Sequence, residues 1–268
     1  MDSAPSTAEL EQQFDETFDC FVISLARTPQ RMAAFLGRNG ATGVKFKRFE
    51  AADGNAISMA DAVVQSIVKP GTRWETKGAI GVALSHRRLW DKAIADGRSL
   101  VVFEDDAYLR ADIRARSMRA IAPLGDWDIV LLGYNIDSLL EVDLAGDLVL
   151  SGLFTPRHPS VANLEKLVKS EDPVMTLRLR HAFGLCGYAI SPAGAKKLRE
   201  SVFPMDNRML EFPATRRHLP VSSIDAMMNA FFRTMSSHVC VPPLVLTENN
   251  WAKSTTVKPG MQPGTRGR

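Results

Sequence analysis

Hydrophobic and polar positions along this chain switch repeatedly between a period of two and a period near 3.6. The run DCFVISLA, residues 19–26, is short, apolar and rich in β-branched residues, and it predicts a buried strand. The next segment, RTPQRMAAFLGRNG, predicts a helix, with Thr28 at the N-cap, Pro29 at the first helical position and Gly40 as the stop. VKFKRFEAADG alternates and ends in a turn at Asp53-Gly54, which predicts a second strand. In KGAIGVALSHRRLWDKAIADGRS the residues Ile80, Leu84, Leu89 and Ile94 recur at helical spacing, and Gly97 closes the helix. SLVVFEDD and DWDIVLLGYN predict two further strands. Strand, helix, strand, helix, strand is the order of an α/β fold with a mostly parallel central sheet and flanking helices.

The later part of the chain is less periodic. LVLSGLFTPRHPS reads as a hairpin arm or a loop, and the segment from there to Arg180 is polar without a clear period. HAFGLCGYAISPAGAKKLRES predicts a strand over Gly187 to Ile190 and then a helix opened by Ser191-Pro192. SSIDAMMNAFFRTM predicts a helix, and SHVCVPPLVLTENN a last strand. With no internal repeat and no linker, the expectation is a flexible lead-in over residues 1–17, one domain over 18–251 and a disordered basic tail over 252–268.

Composition narrows the class. The 268 residues are 45% apolar and 24% charged, with a net charge of +3, so total charge gives no support for nucleic-acid binding. Basic residues collect locally in the tail (Lys253, Lys258, Arg266, Arg268) and in NRMLEFPATRRHLP. Each reads either as solvated surface or as attraction to phosphate or an anionic membrane face. Three cysteines without paired spacing fit a reducing compartment and give no zinc motif. The first residues lack the pattern of a signal peptide, and no stretch approaches the ~20 apolar residues of a membrane span. A cytoplasmic protein, at most peripheral to a membrane, is expected.

The candidate chemistry lies in SLVVFEDDAYLR. An apolar strand runs directly into Glu104, Asp105 and Asp106. Like charges this close repel, and desolvation adds to the cost, so a cation or water must offset them. In open α/β sheets ligands bind at the carboxyl ends of the strands. Clustered hard oxygen ligands there suit Mg²⁺ or Mn²⁺ shared with substrate phosphates. A solvated acidic turn is the competing reading.

The pieces FVISLARTPQRMAAF, RFEAADG, KGAIGVALSHRRLWDKAIADGRSLVVFEDDAYL, DIVLLG and FGLCGYAISPAGAKKL, in this order, resemble glycosyltransferase family 25, over roughly residues 19–250. The combination of glycines, LSHRRLW and EDD carries the resemblance; a lone EDD would not. The resemblance implies a GT-A type, Rossmann-like nucleotide-sugar-binding fold. It also implies a metal-dependent, inverting transfer of a hexose, galactose or a similar sugar, from a UDP-sugar to a saccharide acceptor. That acceptor would be a lipid-linked or lipopolysaccharide-type glycan. The first strand here ends in SLART rather than the family's Asn-Leu-Asp type of run, and the loop over 151–180 matches no family pattern.

The roles the resemblance implies are as follows. Glu104 and Asp106 face the metal, and Asp105 lies near the donor sugar or ribose. Arg27, Arg31 and Asp53 lie at the nucleotide. Gly78 and Gly81 let the helix start approach closely, and Ser85 and His86 point toward the donor. Gly184, Gly187 and Tyr188 line the acceptor side. Asp225, in SSIDAM, is the candidate general base. The competing readings are a surface arginine for Arg31, a turn residue for Asp53, a buried core histidine for His86 and a helix-dipole partner for Asp225. His218 and His238 are possible ligands that nothing in their spacing demands. Two other functions stay open: a different metal-dependent phosphoryl-transfer or hydrolytic enzyme, and a non-catalytic sugar-nucleotide or glycan-binding family member.

Overall fold

The computed structural model describes residues 4–73, 76–145, 148–212 and 217–248. The expected basic tail lies outside the described residues. The flexible lead-in is corrected, because Thr7–Thr17 forms helix α1. Ser6 and Glu9 close a reciprocal capping box at its start. Leu10 and Phe14, four residues apart, bury one face of it. Two apolar positions among so many charges gave no visible period, yet they suffice to dock the helix.

The expected strands and helices follow: β1 (Phe18–Ser24), α2 (Pro29–Asn39), β2 (Phe46–Glu50), α3 (Met59–Val64), α4 (Lys77–Asp96) and β3 (Ser99–Glu104). Gly97 ends α4 in the left-handed region at φ 62°, where a side chain is disfavoured. Thr28 precedes α2 but makes no side-chain cap. After β4 (Tyr108–Leu109) and α5 (Ile113–Ile121) comes β5 (Ile129–Gly133).

The stretch without a clear period resolves into a hairpin of β6 (Leu140–Ala145) and β7 (Leu148–Gly152), a helix α6 (Val161–Val168) and β8 (Met175–His181). A second capping box, Ser160 with Asn163, starts α6. Strand β9 (Gly187–Ile190) and helix α7 (Pro192–Val202) stand where expected. A small hairpin of β10 (Met209–Phe212) and β11 (Arg217–Pro220) precedes α8, which covers only Ile224–Met228 rather than the whole of SSIDAMMNAFFRTM. Strands β12 (Ser237–Val241) and β13 (Val245–Leu246) complete the sheet.

The sheet order is β2-β1-β3-β9-β5-β12-β8-β6-β7. Strands β2, β1 and β3 pair in parallel, and β9 runs antiparallel to both β3 and β5. Two strands antiparallel to the same neighbour share a direction, so β5 and its parallel partner β12 also run with β1 and β3. This is the expected Rossmann-like α/β arrangement, with most strands ending on one edge. One apolar cluster, containing Trp90, Leu89 and Leu198, packs α4 and α7 on one face of the sheet. A second, with Leu10, Phe35 and Ile113, packs α1, α2 and α5 on the other. Each fully buried side chain of this size contributes roughly 1.5–3 kcal/mol.

Register carries the chemistry to one edge. Ile23 pairs with Glu104 and Ser24 with Glu50, so β1, β2 and β3 end together. The loops that leave them, and the segments after β5 and before β9, border one cleft.

Candidate active site

That cleft encloses about 270 Å³. Arg27, Arg31, Asp53 and Gly54 stand on one side, with Gly78, Ser85 and His86 of α4. Glu104, Asp105 and Asp106 line it from β3, and Asn135, Gly184, Ser223 and Asp225 face them. Residues more than a hundred positions apart thus meet as the sequence reading expected for Arg27, Arg31, Asp53, Gly78, His86, the acidic turn and Asp225.

The acidic turn is held by α2. Arg31 donates Nε–H to Asp105 Oδ1 at 2.7 Å, and its Nη2 lies 3.3 Å from Asp106 Oδ2. Arg38 donates to the backbone carbonyls of Asp105 and Ala107, and Asn39 bonds both Ala107 O and Leu109 N–H. Ser24 donates its hydroxyl to Asp105 Oδ2 at 2.9 Å. Asp105 is therefore 7% exposed with both oxygens engaged. The sequence reading put Asp105 among the catalytic residues and near the donor sugar or ribose; in the structure it borders the cleft and anchors Arg31 and the end of β1. One guanidinium thus offsets part of the charge of EDD.

Glu104 and Asp106 remain short of partners. Burial, reinforced by Asp106 and Asp225, pushes the Glu104 carboxyl up to about 8. Asp106 is also raised, chiefly by burial, although Arg31 opposes this, and its Oδ1 has no hydrogen-bond partner among the described residues. Two carboxylates held at a disadvantage to their charged forms are what a divalent cation would relieve. Among the described residues no three His, Cys, Asp or Glu side chains form a complete ligand set. Glu104 and Asp106 supply two hard carboxylate donors, fewer than the full shell of a divalent cation.

This has a consequence for stability. Glu104 is raised in the fold from an ordinary 4.5, so the ligand-free native state keeps a proton that the unfolded chain releases. Stability from this group is complete below about 4.5 and is lost as pH rises through about 8. Glu104→Gln is expected to flatten the fall in melting temperature over that window and to melt higher than wild type at pH 8.5. Parallel melting curves across the window would contradict the assignment.

Opposite the carboxylates, loop and helix meet closely. A Cβ at Gly81 would lie 2.5 Å from Ala52 O, and one at Gly54 1.8 Å from Lys77 O. Only glycine permits this approach of the 51–56 loop to α4. Ser85, fully buried, accepts the Ala52 N–H at 2.9 Å and donates to Gly81 O at 2.8 Å. Its expected donor contact is corrected to one of fixing that loop. Asp53 accepts from Asn55 N–H and from Arg27 Nε at 2.8 Å, which makes it both the turn residue and the partner of the arginine at the cleft mouth. The Asn55 backbone bond is the first cause of its lowered carboxyl pKa.

Two acceptor residues are misplaced in the sequence reading. Tyr188 is 0% exposed, with its hydroxyl between His86 and Trp90, and offers no stacking face. Gly187 pairs with Phe103 inside the sheet, where an added Cβ would lie 2.8 Å from Val245. Both faces of this central strand are covered, and all four of its residues are buried. Gly184 does border the cleft, and its N–H donates to Asp225 Oδ2 at 2.8 Å. His218 and His238 lie on β11 and β12, away from the cleft lining. The sequence reading missed Asn135, Ser223 and Thr247, which carry no local motif. A second, more apolar cavity is lined by Asp137, Phe183, Phe212 and Leu219; Phe183 precedes Gly184 of the cleft and accepts the Asn135 N–H through its carbonyl at 2.7 Å.

The sequence profile of Glycosyltransferase family 25 (LPS biosynthesis protein) matches residues 18–209. The chain belongs to glycosyltransferase family 25. The rat protein named "Probable inactive glycosyltransferase 25 family member 3" is 32% identical over 193 residues, which cover 63% of this chain and 32% of that one. Mouse procollagen galactosyltransferase 2 is 27% identical over 197 residues, 69% of this chain and 27% of that one. A glycosyltransferase 25 family member of Anopheles gambiae is 27% identical over 189 residues, 66% and 28% of the two chains. The chain thus spans about a third of the length of these curated relatives or less. Family 25 membership makes the cleft a candidate sugar-transfer site and explains why EDD, LSHRRLW and the glycines occur together.

Proposed function

We propose that this chain is a metal-dependent glycosyltransferase that moves a hexose, galactose or a close relative, from a UDP-sugar to a glycan. The observation that carries the reading is the convergence of Glu104 and Asp106 with Arg27, Arg31 and Asp225 around one cleft at the carboxyl edge of parallel strands. Glu104 and Asp106 would hold Mn²⁺ or Mg²⁺, which supplies Lewis acidity toward the diphosphate leaving group. Arg27 and Arg31, which border the cleft, would meet phosphate or stack on a base. Asp225 faces the carboxylates and serves as the general base for the acceptor hydroxyl in an inverting displacement. The saccharide acceptor enters over the adjoining Phe183 and Phe212 cavity, which offers apolar faces beside the Asp137 carboxylate. A lipid-linked or lipopolysaccharide-type acceptor agrees with the family description. No helix among the described residues is long and apolar enough to cross a membrane, and peripheral contact through the basic tail fits such an acceptor.

A second reading, a catalytically silent sugar-nucleotide or glycan-binding protein, is favoured by the name of the rat relative. One experiment separates them. Calorimetric titration with UDP is expected to show binding that strengthens at least tenfold with Mn²⁺, because diphosphate and carboxylates repel without a bridging ion. Equal affinity in Mn²⁺ and in EDTA would overturn the metal role and favour binding through Arg27 and Arg31 alone. Hydrolysis of a UDP-hexose by the same sample then distinguishes an enzyme from a silent binder.

A further inference from the structure

We infer that Asn229 is the positioning residue of Asp225: its side-chain amide locks the backbone of Asp225 to Ala182 and so holds the 182–184 segment where the Gly184 N–H meets the Asp225 carboxylate. The catalytic half of this inference rests on the base role proposed above; the clamp does not.

Asn229 directly follows α8 and is 2% exposed. Asparagine at a helix end commonly serves a left-handed backbone, but φ is −57° here, which any residue adopts. A buried amide costs free energy unless it is bonded, so the residue calls for partners. Its partners are complete. Oδ1 accepts the Ala182 N–H at 3.0 Å, and Nδ2 donates to Ala182 O at 2.7 Å and to Asp225 O at 2.9 Å. Two amide protons meet two carbonyls and one oxygen meets an N–H, which fixes the orientation of the amide. The opposite flip would set N–H against N–H.

These bonds close a ring around Asp225. Its carbonyl is tied through Asn229 to Ala182, and its Oδ2 is tied directly to the N–H of Gly184, two residues further on. Between the two ties, Phe183 O accepts the Asn135 N–H at 2.7 Å, just beyond β5. Gly184 turns in the left-handed region at φ 83°, where an added Cβ would lie 2.4 Å from the Asn135 side chain. The segment is thus gripped from the α8 side and from the β5 side, and the Gly184 N–H is aimed at one carboxylate. Phe183 lines the second cavity, so the same clamp sets the distance from that cavity to the base. Asn229 is absent from the residues that line the cleft, so it acts through Asp225. Such placement matters, because a shift of about 1 Å in a reacting group can cost 10²-fold in rate.

A double-mutant cycle tests the inference, with hydrolysis of the better of UDP-galactose and UDP-glucose in Mn²⁺ as the assay. Asn229→Ala is expected to lower kcat roughly tenfold, while KM and the calorimetric affinity for UDP stay within twofold of wild type. In the Asp225→Asn background the same change is expected to cost no further turnover, because the base it places is already gone, although the melting temperature falls equally in both backgrounds. The Gly184 amide reports the clamp without turnover. In ¹H–¹⁵N spectra of ligand-free Asn229→Ala it is expected to move upfield and to exchange faster with solvent. Should Asn229→Ala fail to fold, Asn229→Asp, which keeps the shape and the acceptor for Ala182 N–H but loses at least one donation, is expected to show the same pattern at smaller size. A loss of turnover by the same factor in both backgrounds, or an unchanged kcat beside a lower melting temperature, would make Asn229 structural. An unmoved Gly184 amide would overturn the clamp. If wild type hydrolyses neither UDP-hexose, the base role fails and the catalytic half falls with it, while the Gly184 amide still decides the clamp.

Discussion

Asp106→Asn is expected to abolish transfer from a UDP-hexose, a loss of ~10³-fold or more, while the ligand-free protein melts no lower than wild type. The loss follows from the charge of the carboxylate pair. Glu104 is raised by burial and by the Asp106 charge, Asp106 by burial and by the Asp105 charge, and Asp106 Oδ1 lacks a partner among the described residues, so a cation would favour their anionic forms. A bound ion stabilises the developing charge of the leaving diphosphate by several kcal/mol, and each 1.4 kcal/mol is about tenfold in rate. Asparagine keeps the volume and removes one charge from the cluster. The contact it sacrifices, Arg31 Nη2 to Asp106 at 3.3 Å, is partly exposed and contributes at most about 1 kcal/mol. Asp105→Asn is the contrast. It disturbs the Ser24 and Arg31 bonds of a buried carboxylate and is expected to cost stability on the order of 2 kcal/mol. Calorimetry with Mn²⁺, melting curves and transfer rates on both variants separate ligand from scaffold. An Asp106→Asn protein that keeps near wild-type turnover at limiting Mn²⁺ would show that Asp106 is not a metal ligand.

Much of the frame was legible because it is local. An apolar strand that ends on EDD, a helix whose apolar positions recur at helical spacing and a glycine at its close each declare themselves within a few residues, and the structure forms these elements as read, although Ile94 of that helix is exposed. What stayed hidden depends on partners far along the chain. Asp105 looks like its neighbours until Ser24, 81 positions earlier, and Arg31 occupy its oxygens. Tyr188 reads as an acceptor-side residue until β9 is inserted between β3 and β5, which buries it completely. The register that unites Glu104, Asn135 and Asp225 is set by strand order, which no window of the sequence contains. α1 escaped for a different reason: its capping box, SxxE, was a visible signal, but only Leu10 and Phe14 mark its buried face.

Asp225→Asn is expected to lower turnover ~100-fold or more, with UDP-hexose affinity within a few-fold of wild type and little change in stability. A positioned general base contributes 10²–10⁴-fold. Asp225 stands in the first turn of α8, where its charge also meets the helix dipole, and turnover of the Asn variant tells the two roles apart. Ser223, not Asp225, caps α8 through the Ala226 N–H. Asp225 instead accepts the Gly184 N–H and the Ser223 hydroxyl, which orient its carboxylate along the cleft wall that faces Glu104. Asparagine can still accept from Gly184 through its carbonyl and donate to the Ser223 hydroxyl, so both tethers survive and only basicity is lost. A second readout needs no turnover. The Asp225 charge helps to raise Glu104, so the ¹³C-detected titration of the Glu104 carboxyl, about 8 in wild type, is expected to move down in the variant. A variant that keeps its turnover but melts lower would make Asp225 structural. Glu211 and His218 sit on the β10–β11 hairpin outside the cleft lining and Asp105 is already engaged, so the base would then have to be sought among the other residues of the cleft.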